Sequence, residues 1–145
     1  VKSLIQRVES AKVEINGTVC GEISKGLLVF VGFEKLDEYL QVDSMINKLL
    51  SYRVFNDDNN KMNLSVKDVD GGLLIVSQFT IVADTSSGTR PGFSTAKSPT
   101  EAESLFDYFM VQIKKSYKNV SSGQFGADMR VSLTNDGPVT FMLSC

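Results

Sequence analysis

The 145-residue sequence contains no histidine, and that absence excludes more chemistry than any other feature of its composition. No Ser-His-Asp or Cys-His nucleophile pair, no histidine general base and no imidazole metal ligand can be built from this chain. Tryptophan is also absent, and only two cysteines occur, Cys20 and Cys145. By themselves they cannot make a structural zinc site, and no metal is expected. They sit in unlike contexts with nothing else to pair, which fits a reducing compartment. Neither sign of charge dominates: 15 Lys and Arg stand against 17 Asp and Glu, a net charge of −2. A chain so balanced has no global basic field, so duplex binding by phosphate neutralisation is disfavoured and DNA is not an expected partner. No run of about 18 apolar residues occurs, and residues 1–10 lack the apolar stretch of a signal peptide. The expected location is the cytoplasm, with no membrane partner.

What is present suits one domain over residues 1–145. Hydrophobic residues at 42% and charged residues at 22% are ordinary globular composition rather than disorder. The first third reads as short strands: one over 4–8, one over 11–15, and a return over 18–23 after an Asn16-Gly17 hairpin turn. The unbroken apolar run over 27–33 predicts a strand covered on both faces. The period then changes. Asp37 stands where a helix N-cap would, and Val42, Met45, Ile46, Leu49 and Leu50 mark one helical face. A short strand near 64–69 and a tight turn at Asp70-Gly71-Gly72 precede residues 73–83, which read as the longest apolar strand.

Ser98-Pro99-Thr100-Glu101 announces a second helix, with an N-cap, proline at the first position and a capping-box glutamate. Ala102, Leu105, Phe106, Phe109, Met110 and Ile113 follow at helical spacing. Strands over 129–133 and 139–143 close the chain, separated by Asn135-Asp136-Gly137-Pro138. The fold expected is mixed α/β: one compact domain on a largely antiparallel or mixed, barrel-like sheet with two main helices. No Gly-x-Gly-x-x-Gly or Walker sequence occurs, and no cofactor is expected.

Two segments carry candidate chemistry. Ser77-Gln78-Phe79-Thr80 places polar residues inside an apolar strand, where an unbonded polar group costs about 1–3 kcal/mol. Either those side chains bond neighbouring backbone, or they serve a ligand. In an extended strand Gln78 and Thr80 share a face and Ser77 points the other way. Asn135-Asp136-Gly137-Pro138 is either an ordinary turn between strands or a turn that aims carbonyls at a ligand. Asn56–Asn60 lacks the spaced acidic ligands of a calcium loop and reads as a solvated turn. Lys114, Lys115 and Lys118 are expected late in the second helix, where they either favour its dipole or make a supplementary phosphate contact.

Taken together, Ser77-Gln78-Phe79-Thr80, Gly126-Ala127-Asp128-Met129 and Asn135-Asp136-Gly137-Pro138-Val139-Thr140 resemble the D-aminoacyl-tRNA deacylases. Gln6-Arg7-Val8, Lys61-Met62-Asn63-Leu64-Ser65 and the Pro91-x-Phe93 loop match as well, so the resemblance runs end to end. The loop from Asp84 to Arg90 is less basic than is common in that family. The resemblance implies a homodimeric hydrolase that cleaves the ester between a D-amino acid, or mischarged glycine, and the 3′-terminal ribose of tRNA. Its partner would be the aminoacylated tRNA 3′ end, and its role chiral proofreading in translation quality control. It implies a pocket at Ser77, Gln78, Phe79 and Thr80, with Met129 nearby and Asn135 supporting. It further implies that the Gly137-Pro138 bond is cis and reaches across the dimer interface into the partner's pocket, buttressed by Arg7. For the attack itself, either Thr80 is the nucleophile, or water attacks with help from the substrate's 2′-hydroxyl; lack of an evident base favours the second. A non-catalytic binding module and a Thr-nucleophile amidohydrolase are the rival readings.

Overall fold

Alternation of buried and open positions builds the central strand. In β1, Lys2–Ile15, Ser3, Ile5 and Arg7 are buried; the phase shifts at Val8, and alternation resumes through Ala11 and Val13. The structure, a computed structural model, describes all residues 1–145. The strands expected over 4–8 and 11–15 are thus one strand of 14 residues. The reason lies in β8, Arg130–Ser144, which runs antiparallel alongside it from Lys2↔Ser144 to Glu14↔Arg130. The other edge of β1 is shared. Its first half pairs with β3, Gly26–Gly32, and its second with β2, Thr18–Ile23, across the expected Asn16-Gly17 turn.

Beyond β3 the ladder turns parallel. β6, Gly72–Ser77, pairs with β3, and the short β7, Val120–Ser122, pairs with β6. Ser121 Oγ of β7 donates to the Glu22 carbonyl of β2 at 3.2 Å, so the mixed sheet nearly closes on itself as a barrel. Three residues with little apolar content give β7 no sequence signal of its own. A two-strand ribbon, β4 (Phe55–Asn56) and β5 (Met62–Leu64), stands apart. Of the strand expected near 64–69, residues 66–69 form turns instead. Asp68 Oδ2 accepts from the Ser65 N–H at 2.7 Å and from its hydroxyl at 2.8 Å, a local arrangement that competes with strand pairing.

Two helices cover one face of the sheet, α1 (Tyr39–Ser51) and α2 (Pro99–Ser116). Every apolar residue assigned to their inner faces from the sequence is buried. α1 starts one residue later than expected. Glu38 is its N-cap, with its N–H donating to Gln41 Oε1 at 2.9 Å, while Asp37 is buried and accepts from the Glu34 N–H at 2.6 Å. Ser98 caps α2 with Pro99 behind it, but its hydroxyl bonds the Glu101 carboxylate rather than the backbone.

Leu27, Val29, Val31, Leu73 and Ile75 pack with the helices in the main core. Leu28, Leu74 and Val76 join Val8, Val13 and Ile23 in a smaller core on the opposite face. That double coverage is why β3 and β6 read as unbroken apolar runs. Each such side chain contributes about 1.5–3 kcal/mol when removed from water.

Candidate functional site

β6 ends where its partner ends. The last β3–β6 contact is Val31↔Ser77, and the Gln78 N–H still donates to the Val31 carbonyl at 2.8 Å. The chain then winds into a single 3-10 turn, Phe79–Val82, closed by the Ile81 N–H on the Gln78 carbonyl at 3.3 Å. This corrects the strand expected over 73–83, and with it the shared face of Gln78 and Thr80. The two meet instead across the turn, Gln78 Nε2 donating to Thr80 Oγ1 at 2.6 Å. The N–H groups of Phe79 and Thr80 open the turn, and a 3-10 turn supplies no internal acceptor for its first donors.

Beside the turn lies a cleft of about 460 Å³. Ser77, Gln78 and Phe79 line it from the end of β6. Phe125, Ala127, Asp128 and Met129 line it from the segment that leads into β8. Thr80 is exposed beside the cleft rather than in its lining. Sequence reasoning missed Phe125 and Ala127 as site residues, although Gly126-Ala127-Asp128-Met129 stood out as a motif. It also missed Lys97, whose nearly buried side chain lines the cleft while its ammonium donates to the carbonyls of Asp37 at 2.7 Å and Lys35 at 3.2 Å. A lysine in an irregular segment carries no periodic signal that could have found it. Asp84, farther along, accepts hydrogen bonds from the Ser86 hydroxyl and N–H, which hold its carboxyl below the ordinary carboxylate range. No group of three or more Cys, Asp or Glu side chains is placed to hold a metal ion.

Gly137 and Pro138 do not line this cleft. Nor do they form a turn between two strands, as one sequence reading had it; they lie within β8. Between Gln6↔Thr140 and Val8↔Asn135, β1 advances two positions and β8 five, so residues 136–139 bulge outward. The Gly137-Pro138 bond is cis, and Gly137 has φ +131°. A Cβ at Gly137 would come within 2.9 Å of Val139 Cγ2 and 3.0 Å of the Val139 nitrogen. Arg7 anchors the bulge. Its Nε donates to the Asp136 carbonyl at 3.0 Å, while Nη1 donates to the Val54 carbonyl at 2.7 Å and to Asn56 Oδ1 at 3.3 Å. Asn135 Oδ1 accepts from Gln6 Nε2 at 3.5 Å. One chain therefore holds two separate groups: Ser77, Gln78, Phe79 and Met129 at the cleft, and Arg7, Asn135, Gly137 and Pro138 at the bulge.

Comparison with known proteins gives this arrangement its class. The family model described as D-Tyr-tRNA(Tyr) deacylase matches residues 4–144. The chain therefore belongs to that family, and its activity is that of a hydrolase that deacylates D-aminoacyl-tRNA. It is similar to a D-aminoacyl-tRNA deacylase of Pseudomonas putida, 57% identical over 143 residues and 99% of each chain. One of Pseudoalteromonas translucida is 54% identical over 144 residues, again 99% of each. The solved structure of a c-Myc DNA unwinding element binding protein superposes with a TM-score of 0.95 at 35% identity, covering 100% of this chain and 99% of that one. A structure of a probable eukaryotic D-amino acid tRNA deacylase superposes with a TM-score of 0.87 at 14% identity, over 99% of this chain and 98% of the other, and shows the shared fold.

Proposed function

We propose that the Ser77–Thr80 segment is the catalytic end of the cleft and that the Gly137-Pro138 bulge is its chiral wall, supplied by a second copy of the chain. The separation of the two groups within one chain carries this reading: a bulge that does not line its own cleft is free to enter a partner's. The outer edge of β8, which pairs with β1 alone, supports such a dimer. An unpaired edge strand with Leu133, Phe141 and Met142 exposed is a surface that pairing with a second copy would cover.

Selection of D over L for any side chain cannot use a side-chain pocket. A rigid backbone wall that holds the α-amino group leaves no room for an L substituent, while a D substituent, or glycine with none, points away. Ester hydrolysis then needs donors for the tetrahedral oxyanion and a positioned attacker. The opening N–H groups of the Phe79–Val82 turn supply the donors. With no histidine in the chain, water attacks with help from the terminal 2′-hydroxyl of the tRNA, and Gln78 orients Thr80 beside it. The reaction belongs to the cytoplasm, where charged tRNA is used.

Two substitutions separate the mechanisms. A D-aminoacyl ester on tRNA ending in 2′-deoxyadenosine should be hydrolysed at least about 100-fold more slowly, the lower range for a positioned proton-transfer group. Thr80→Ala on the ordinary substrate should lose only about tenfold. The opposite pattern, with Thr80→Ala folded but inactive and the deoxy substrate turned over normally, makes Thr80 the nucleophile and overturns assisted water attack.

A further inference from the structure

Phe79 and Phe93 are 59% and 40% exposed, yet their rings pack together with centroids 5.0 Å apart and planes at 49°. Phe79 lines the cleft. Phe93 comes from a segment held at both ends, by the Asp84↔Gly92 bridge and by the Glu34↔Ala96 bridge. The pair is therefore fixed in place with aromatic surface open to water. A cleft of about 460 Å³ has the size of an ordinary small-molecule pocket, room for a terminal nucleoside ester and not for a strand, so the rest of the RNA stays outside, at the rim where these rings stand.

Electrostatics leave attachment of that strand to other forces. The chain carries a net charge of −2. Residues 84–97 hold two cations, Arg90 and Lys97, and the Lys97 ammonium is already engaged by two carbonyls. A single-stranded end that few phosphate contacts can hold is suited to stacking, which accepts any base because every base has a π face.

We propose that Phe93, packed on Phe79, is a stacking platform for the nucleobase next to the terminal nucleoside of the tRNA 3′ end. It steadies the strand while the terminal ester occupies the cleft. The inference rests on the deacylase reading of the cleft and adds to it a second subsite, specific for RNA over a free nucleoside ester.

The test compares two substrates, D-aminoacyl-tRNA and 3′-(D-aminoacyl)adenosine, which lacks the second nucleotide. Phe93→Leu keeps apolar packing on Phe79 and removes the π face. It should raise KM for the tRNA about tenfold, leave kcat nearly unchanged and leave the adenosine ester unaffected. Phe93→Trp should restore tRNA turnover. In a chain without tryptophan it also supplies a single indole, whose selectively excited fluorescence uncharged RNA ending in CCA should quench and adenosine should not. Equal losses on both substrates, or full tRNA activity in Phe93→Leu, would overturn the platform and leave the pair as a clasp that closes the loop. A changed sedimentation coefficient with equal losses would also overturn it and assign the rings to a subunit contact. If the unaltered protein hydrolyses neither ester, the deacylase reading itself fails, and this subsite falls with it.

Discussion

Arg7 connects parts of the chain that no local pattern links. From a nearly buried position on β1 it bonds the Asp136 carbonyl in β8 and the Val54 carbonyl before β4, through separate nitrogens of one planar fork. The bulge it holds contains Gly137, whose φ of +131° lies where side-chain-bearing residues are strained. Gly137→Ala would add a Cβ 3.0 Å from the Val139 nitrogen and 3.3 Å from Arg7 Nη2, so the wall must move. We expect this variant to fold and to narrow the preference for D- over L-aminoacyl-tRNA by tenfold or more, read as a ratio of kcat/KM values. An unchanged ratio would show that this backbone does not meet the substrate. At the same scale the resemblance carried by Ser77-Gln78-Phe79-Thr80 found residues that do line a cleft, but the conformation was misread. A run flanked by Ile75, Val76, Ile81 and Val82 looks extended, and only the end of β3 at Gly32 dictates that it turns into a helix.

Elements were legible where their signals are local. The hairpin at Asn16-Gly17, both helices with their inner faces, and the doubly covered β3 follow from turn chemistry and periodicity, whereas β6 was placed but read too long. Strand continuity was not legible, because β1 and β8 are each held as one strand by the other, and no short window contains both. Parallel pairing of β3 with β6 is equally non-local and has a sharp steric requirement. At Gly26↔Gly72 the two backbones approach so closely that a Cβ on Gly26 would lie 1.9 Å from the Gly72 carbonyl oxygen. No side-chain adjustment relieves a clash with backbone. Gly26→Ala should therefore cost about 3 kcal/mol or more, at the severe end for single substitutions, as read by chemical denaturation. A loss under about 1 kcal/mol would mean that β3 and β6 are less tightly paired than described.

Across the whole molecule, the missing histidine makes a statement about pH. No imidazole titrates here, so deacylation should show no acidic limb between about pH 5.5 and 7.5, and its rate should rise smoothly with pH. A bell-shaped profile in that window would require a protein acid or base that the account lacks. Stability responds at lower pH. Backbone N–H donors from Lys61 and Ser65 depress the Asp57 and Asp68 carboxyls, and the Ser86 hydroxyl depresses that of Asp84. Each is held lower in the folded state than in the unfolded one, so its contribution is present above about pH 4 and lost as pH falls through the depressed values. The central claim is that two copies of this fold build a site that reads chirality from backbone alone. The most direct measurement is ester loss from D- and L-aminoacyl-tRNA bearing the same amino acid, followed side by side with purified protein. The account predicts rapid loss of the D ester while the L ester decays at its spontaneous rate. Equal hydrolysis of both would contradict it.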